Sequence, residues 1–163
     1  MVATTISEVE IVQNPAIAAT MIWQCARGYQ DETDGRNMEL HVAFFVLPIC
    51  FHEVSLTNLL KTRRNSGLSS FVSKMAKKQE DLLAIHDRVL ALRALTFTSI
   101  GFGVQSELFT IDYRQASLRA NSHTLPKTLP RDIKSLIRGS ERFGAWSGRL
   151  SIEEIVMTLR LGV

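Results

Sequence analysis

Apolar positions recur along this chain at helical spacing over most of its length and switch once, briefly, to the spacing of a strand. Asn14 and Pro15 suit the N-cap and first position of a helix, and Ile17, Met21, Ile22, Cys25 and Tyr29 then recur every three or four residues. That spacing predicts a helix over 14–29, closed near Gly28. Gln30 to Asn37, with three acidic residues and Gly35, has the composition of an exposed loop. Met38 to His52 is a nearly continuous apolar run, compatible with a buried helix or a buried strand. A helix interrupted near Pro48 is favoured. Ser55 can cap a helix over 55–63 with Leu56, Leu59 and Leu60 on one face, followed by a loop at Asn65 to Gly67. Ser69 or Ser70 can cap a short helix carrying Phe71, Val72 and Met75. A longer helix follows over 79–100 through Leu82, Leu83, Ile85, Val89, Leu90, Leu92 and Leu95, and fails near Gly101 and Gly103. Glu107 to Asp112 alternates with period two, and with the polar turn after it predicts a lone hairpin over 107–120. A polar connector, Asn121 to Leu129, leads to Pro130 and a helix over 130–147 that buries Ile133, Leu136, Ile137, Phe143 and Trp146 and stops at Gly148. Ser151 and Glu154 form a capping box for a last helix over 152–160, ending at Gly162.

The expected fold is mainly α with one small β-hairpin. Helices followed by a hairpin is the order of a winged helix-turn-helix, so residues 66–122 are expected to be winged-helix-like, between packed N-terminal (1–65) and C-terminal (123–163) helices. A chain of 163 residues, 45% hydrophobic and 21% charged, has the size and mix of one domain. Met1 to Glu10 carries Glu8 and Glu10 and no basic cluster, the wrong pattern for a secretory signal, and a cytoplasmic location is expected. The longest apolar run, Val42 to Phe51, contains Pro48 and falls short of the roughly 20 residues a membrane helix needs, so no membrane partner is expected.

Catalytic spacings are missing. The phosphate-cradling pattern Gly-x-x-x-x-Gly-Lys-Ser/Thr does not occur, and no Gly-Lys follows Gly101-Phe102-Gly103. His52-Glu53 would need a second histidine where Leu56 stands, His86-Asp87 has no partner ligands in view, and no Gly-x-Ser-x-Gly elbow is present. Cys25 and Cys50 lie far apart, outside any Cys-x-x-Cys pair, and are expected as buried thiols. The chain is therefore expected to be no enzyme and to hold no cofactor or metal.

Charge is more informative in its distribution than in its total of +3. Lys61, Arg63, Arg64, Lys74, Lys77 and Lys78 occur with no acidic residue between Val54 and Gln79, and such a stretch can neutralise phosphates by releasing counterions. It would equally serve as ordinary solvated surface. Arg114, Arg119, Lys127 and Arg131 form a second basic set around the presumed wing; if the two sets share a face, double-stranded DNA is the ligand they suit. For protein partners, the apolar content of the first third and of the last helices points to Trp23 in one place and Phe143, Trp146 and Leu159 in another as interface anchors.

Taken in order, Asn14-Pro15-Ala16, Arg27-Gly28-Tyr29, Val46-Leu47-Pro48 followed by His52, Thr62-Arg63, Phe143-Gly144-Ala145-Trp146 and the terminal Leu161-Gly162-Val163 give the chain a family likeness. It resembles the middle components of three-component ABC-ATPase systems, bacterial conflict systems that include Lamassu-like anti-phage defence. The resemblance implies a non-enzymatic subunit that bridges or regulates an SMC-like ABC ATPase and an effector, often a nuclease. A stand-alone winged-helix transcriptional regulator is the alternative, although its recognition helix, Ala91 to Gly103, would offer base edges little beyond Arg93. An enzyme of unrecognised type is a third.

Overall fold

Among residues 14–161, which the computed structural model describes, eight α-helices frame a small antiparallel sheet. The expectations placed on Met1 to Glu10 and on Gly162 lie outside the described residues. Helix α1, Pro15–Glu32, starts as its cap dictates, with the Asn14 side chain accepting the Ala16 amide at 2.9 Å. It runs past Gly28, because that glycine is a packing position and not a stop. Its bare Cα faces the Glu141 carbonyl of α7, Arg131–Ser147, while Gly144 of α7 faces the Cys25 carbonyl of α1. The two helices thus lie antiparallel with backbones in close approach, and this pair is the centre of the core.

The apolar run after α1 is split among three conformations. Met38–Glu39 forms strand β1, Leu40–Val42 a 3-10 turn, and Ala43–Cys50 helix α2. Pro48 sits inside α2, which ends two residues later. Helix α3, Glu53–Lys61, begins before Ser55, with His52 at its N-cap. After a 3-10 turn at Arg64–Ser66, α4 spans Gly67–Met75, opened not by Ser69 or Ser70 but at Gly67, whose φ of +82° suits glycine.

The helix expected over 79–100 is two, α5 (Gln79–Ala91) and α6 (Arg93–Gln105), broken at Leu92. Gly101 and Gly103 do not end α6. The Phe109 ring fills the space beside Gly103, and the chain turns out of the helix at Glu107, with φ of 58°. Phe109–Asp112 (β2) and Ser117–Ala120 (β3) form the expected hairpin, but it is not alone: β1 pairs with the other edge of β3, giving the order β1-β3-β2, with Leu118 opposite both Met38 and Ile111. The winged-helix arrangement expected for 66–122 is not confirmed, since the third strand comes from residues 38–39. The sheet leans on α1 and α6. Helix α8, Ile152–Thr158, opens with the expected capping box, Ser151 accepting the Glu154 amide at 3.1 Å and Glu154 accepting the Ser151 amide at 2.8 Å.

The interior is filled by Trp23, Phe71, Phe109, Phe143 and Trp146, all fully buried. Among the described residues no buried side-chain nitrogen or oxygen lacks a hydrogen-bond partner. No single helix there is long and apolar enough to cross a membrane; Leu40–Cys50 and Glu53–Lys61 are apolar enough together, but they meet at 104° and α2 is core.

Candidate interaction surfaces

The acid-free basic stretch divides into residues that hold the fold and residues that face water. Arg64 approaches Glu32 at 3.6 Å and Glu141 at 3.4 Å, and its carbonyl accepts the Trp146 indole N–H at 2.9 Å and an Arg149 guanidinium N–H at 3.1 Å. Arg149 in turn pairs with Glu32 at 2.6 Å, and that hydrogen bond, more than the nearby charges, holds the Glu32 carboxyl below its ordinary range. Lys74 donates to the Lys61 carbonyl at 3.3 Å and the Thr62 hydroxyl at 3.0 Å, closing the end of α3. Arg142 does the same from α7, donating to the carbonyls of Leu60 at 2.8 Å and Thr62 at 3.0 Å. Arg64 and Lys74, both expected at a DNA surface, are therefore committed to the protein's own backbone and carboxylates. Lys61, Arg63, Lys77 and Lys78 are exposed and make no ion pair among the described residues.

Of the hairpin set, Arg114 is exposed at the turn, where Asp112 accepts its amide at 3.0 Å. Arg119 donates to the Gly35 carbonyl at 2.9 Å and so fastens the turn after α1 to β3. The hairpin leans on α1 and α6, whereas α3 and α4 lean on α7. Arg114 and Arg119 are thus carried by elements that pack on other helices than α3 and α4 do, whereas Arg131 opens α7 itself and Lys127 lies in the connector before it.

The four side chains expected as partner anchors are all inside. Trp23 is buried on α1, its indole N–H donating to the Asn121 carbonyl at 2.9 Å and its ring under the Arg27 guanidinium at 5.2 Å. Phe143 and Trp146 are buried on α7, Trp146 against Phe71 with ring centroids 6.0 Å apart, and Leu159 is buried just after α8. This corrects the expectation that they are available to a partner. Large apolar side chains in amphipathic helices go first to the chain's own core.

What solvent does meet is elsewhere. Leu83 and Leu90 on α5, and Phe97 and Phe102 on α6, are exposed, Leu90 to 62% and Phe97 to 59%. Met157 on α8, beside α4, is 76% exposed. Helix α6 carries apolar residues on both sides and one charge, Arg93. Such a helix is ordinarily buried all round, yet its Ala94, Phe97, Gly101 and Phe102 face water while Ile100 and Gly103 face the core. That signal was present in the sequence as a stretch with almost no charge from Ala91 to Gly103.

Cys25, Cys50 and Ser55 are buried and His52 is half-buried. His52 Nδ1 lies 2.6 Å from the Ser55 hydroxyl, and Ser55 is fully buried in the first turn of α3. Burial, and then the charge of Arg88, lowers the His52 pKa. Burial pushes the Cys50 thiol up to about 12 and raises Cys25 as well. Among the described residues no three His, Cys, Asp or Glu side chains converge as a metal site.

Against known proteins, a family model for the ABC-three component (ABC-3C) system Middle Component 3, MC3, matches residues 3–162. No curated protein and no solved structure matches the chain.

Proposed function

The chain belongs to the MC3 family of ABC-3C middle components, and from that premise we propose that it is a non-catalytic subunit holding an SMC-like ABC ATPase and an effector, such as a nuclease, in one anti-phage defence complex. The observation that carries this is the set of exposed apolar side chains on α5 and α6. Leu83, Leu90, Phe97 and Phe102 are left in solvent by a fold that buries the other large apolar residues of α5 and α6 in whole or in part. A bridge needs a second contact, and Met157 on α8 supplies an exposed anchor away from α5 and α6. Sequestered thiols and a buried serine fit a subunit whose work is binding.

The test is co-expression with the neighbouring ATPase and effector. We expect Leu90→Glu to reduce recovery of one component at least tenfold and Met157→Glu to reduce recovery of the other, with the thermal melt of the isolated chain unchanged. A chain that recruits neither component, or variants that each retain both, overturns the bridge.

DNA contact belongs to the same proposal, through Lys61, Arg63, Lys77 and Lys78, and not through Arg64 or Lys74. Reversing Arg63, Lys77 and Lys78 to Glu is expected to weaken DNA binding by the assembled complex more than tenfold. The log–log salt dependence should flatten by about one unit for each phosphate no longer neutralised. Unchanged affinity and slope would make these residues plain solvated surface.

A further inference from the structure

The geometry points to the outer face of α6 as a surface that pairs antiparallel with the same face of a second copy of this chain. This pairing presupposes that the exposed apolar side chains of α5 and α6 form a contact surface and names the occupant of its α6 part. Ala94, Phe97, Thr98, Gly101, Phe102 and Gln105 form one exposed stripe along the helix, recurring at helical spacing, with Thr96, Ser99, Ile100 and Gly103 buried behind it.

The stripe is symmetric about the point midway between Ser99 and Ile100. Phe97 and Phe102 stand at equal distances from that point in sequence, Thr98 and Gly101 stand inside them, and Ala94 and Gln105 outside. A closed two-fold interface requires one patch to complement itself. An antiparallel two-fold at that midpoint sets each Phe97 against the other copy's Phe102, while Thr98 opposite Gly101 leaves room for the helices to approach.

Two further features favour this occupant over an unrelated one. Gly101 lies in mid-helix, where glycine is less stable than alanine, and nothing in its own chain lies within 4 Å of where a Cβ would stand. Nothing inside the molecule requires a missing side chain there; a close neighbour outside it would. The stripe is also uncharged from Ala94 to Ser106, with Arg93 exposed at one end and Glu107 exposed just beyond the other. Antiparallel pairing brings each Arg93 toward the other copy's Glu107, whereas parallel pairing would set Arg93 beside Arg93. Phe97 is already held edge-on by Phe44, with ring centroids 4.9 Å apart, so little ordering is needed on contact.

A 13-residue helix presents a face only about 20 Å long, well below the span of a standard interface, so the expected dissociation constant is on the order of 10–100 μM. Sedimentation of the full chain across that range is expected to show a monomer–dimer equilibrium. Gly101→Glu should abolish it while the circular dichroism spectrum stays that of the parent and the melt is not lowered. Thr98→Cys should form a disulfide-linked dimer on mild oxidation, and Thr57→Cys, exposed on α3, should not; Cys25 and Cys50 are buried and do not compete. A chain that stays monomeric without Thr98→Cys cross-linking overturns the pairing, as does a dimer that survives Gly101→Glu. If the chain is monomeric and Phe97→Glu loses a co-expressed component, the contact-surface reading stands and self-pairing fails. If Phe97→Glu, like Leu90→Glu, costs no component either, both fail.

Discussion

Replacing Gly144 with alanine is expected to destabilise the fold by about 3 kcal/mol, the upper end of what overpacking a core typically costs. The added methyl would run into the Cys25 carbonyl of α1. A helix carbonyl cannot swing aside as a side-chain end can, so α1 and α7 would have to separate along the contact that also places Gly28 on the Glu141 carbonyl. Gly28→Ala should cost a similar amount. Two other glycines serve as controls. At Gly103 the obstacle is the Phe109 ring, a side chain, and at Gly101 there is no obstacle. Gly103→Ala should therefore cost less than Gly144→Ala, and Gly101→Ala should be neutral or stabilise by up to about 1 kcal/mol through helix propensity. Denaturant midpoints of the four variants would give the order. Equal midpoints for the Gly144 and Gly101 variants would mean that the close approach of the two backbones is not a constraint.

Trp146→Ala is expected to cost about 3–5 kcal/mol, the range for deleting a buried large aromatic. Two effects compete to explain such a loss, the cavity and the broken hydrogen bond, and the structure separates them. The Arg64 carbonyl that accepts the indole N–H also accepts from Arg149 at 3.1 Å, so it keeps a charged donor when the indole is gone. The cavity beside Phe71 then accounts for most of the loss. Trp146→Phe should recover most of the stability, leaving a deficit of about 1 kcal/mol, the size of a neutral hydrogen bond. The measurement is made on the isolated chain without any partner. A Trp146→Ala protein as stable as the parent would return this residue to the surface anchors.

Where local chemistry decides, the sequence is legible. Asn14 starts α1, Ser151 and Glu154 start α8, and period two marks β2 and β3. Misreadings cluster where a residue answers to something distant. Gly28 looks like a stop and is a contact, because the residue it meets, Glu141, lies more than 110 positions away. Met38 and Glu39 look like the start of a buried helix and are a strand, because β3 offers an unpaired edge that periodicity does not announce. Arg64 and Lys74 look like free cations, but the carboxylates and carbonyls they meet come from elsewhere in the chain. Trp23, Phe143, Trp146 and Leu159 stand out in the sequence as large apolar residues, yet hydrophobicity alone does not say which side of a boundary a side chain takes. Phe97 and Phe102 escape notice because a uniformly apolar helix reads as interior until its neighbours are known.

The pairing of β1 with β3, and of α1 with α7, gives the chain the form of a closed ring. Both joints bring an early stretch against a late one, so residues 40–116 form one excursion between them, from which α6 returns to pack on α1 and α3 and α4 on α7, while α5 rests mainly on α2, α4 and α6. The entropy of closing such a ring grows only with the logarithm of its length, about 0.6 kcal/mol for a doubling. The exposed turn at Lys77 and Lys78, between α4 and α5, is thus a place where the excursion can be lengthened or respliced while the framework stays shut. The side chains proposed to meet partners lie on the two helices that follow this turn.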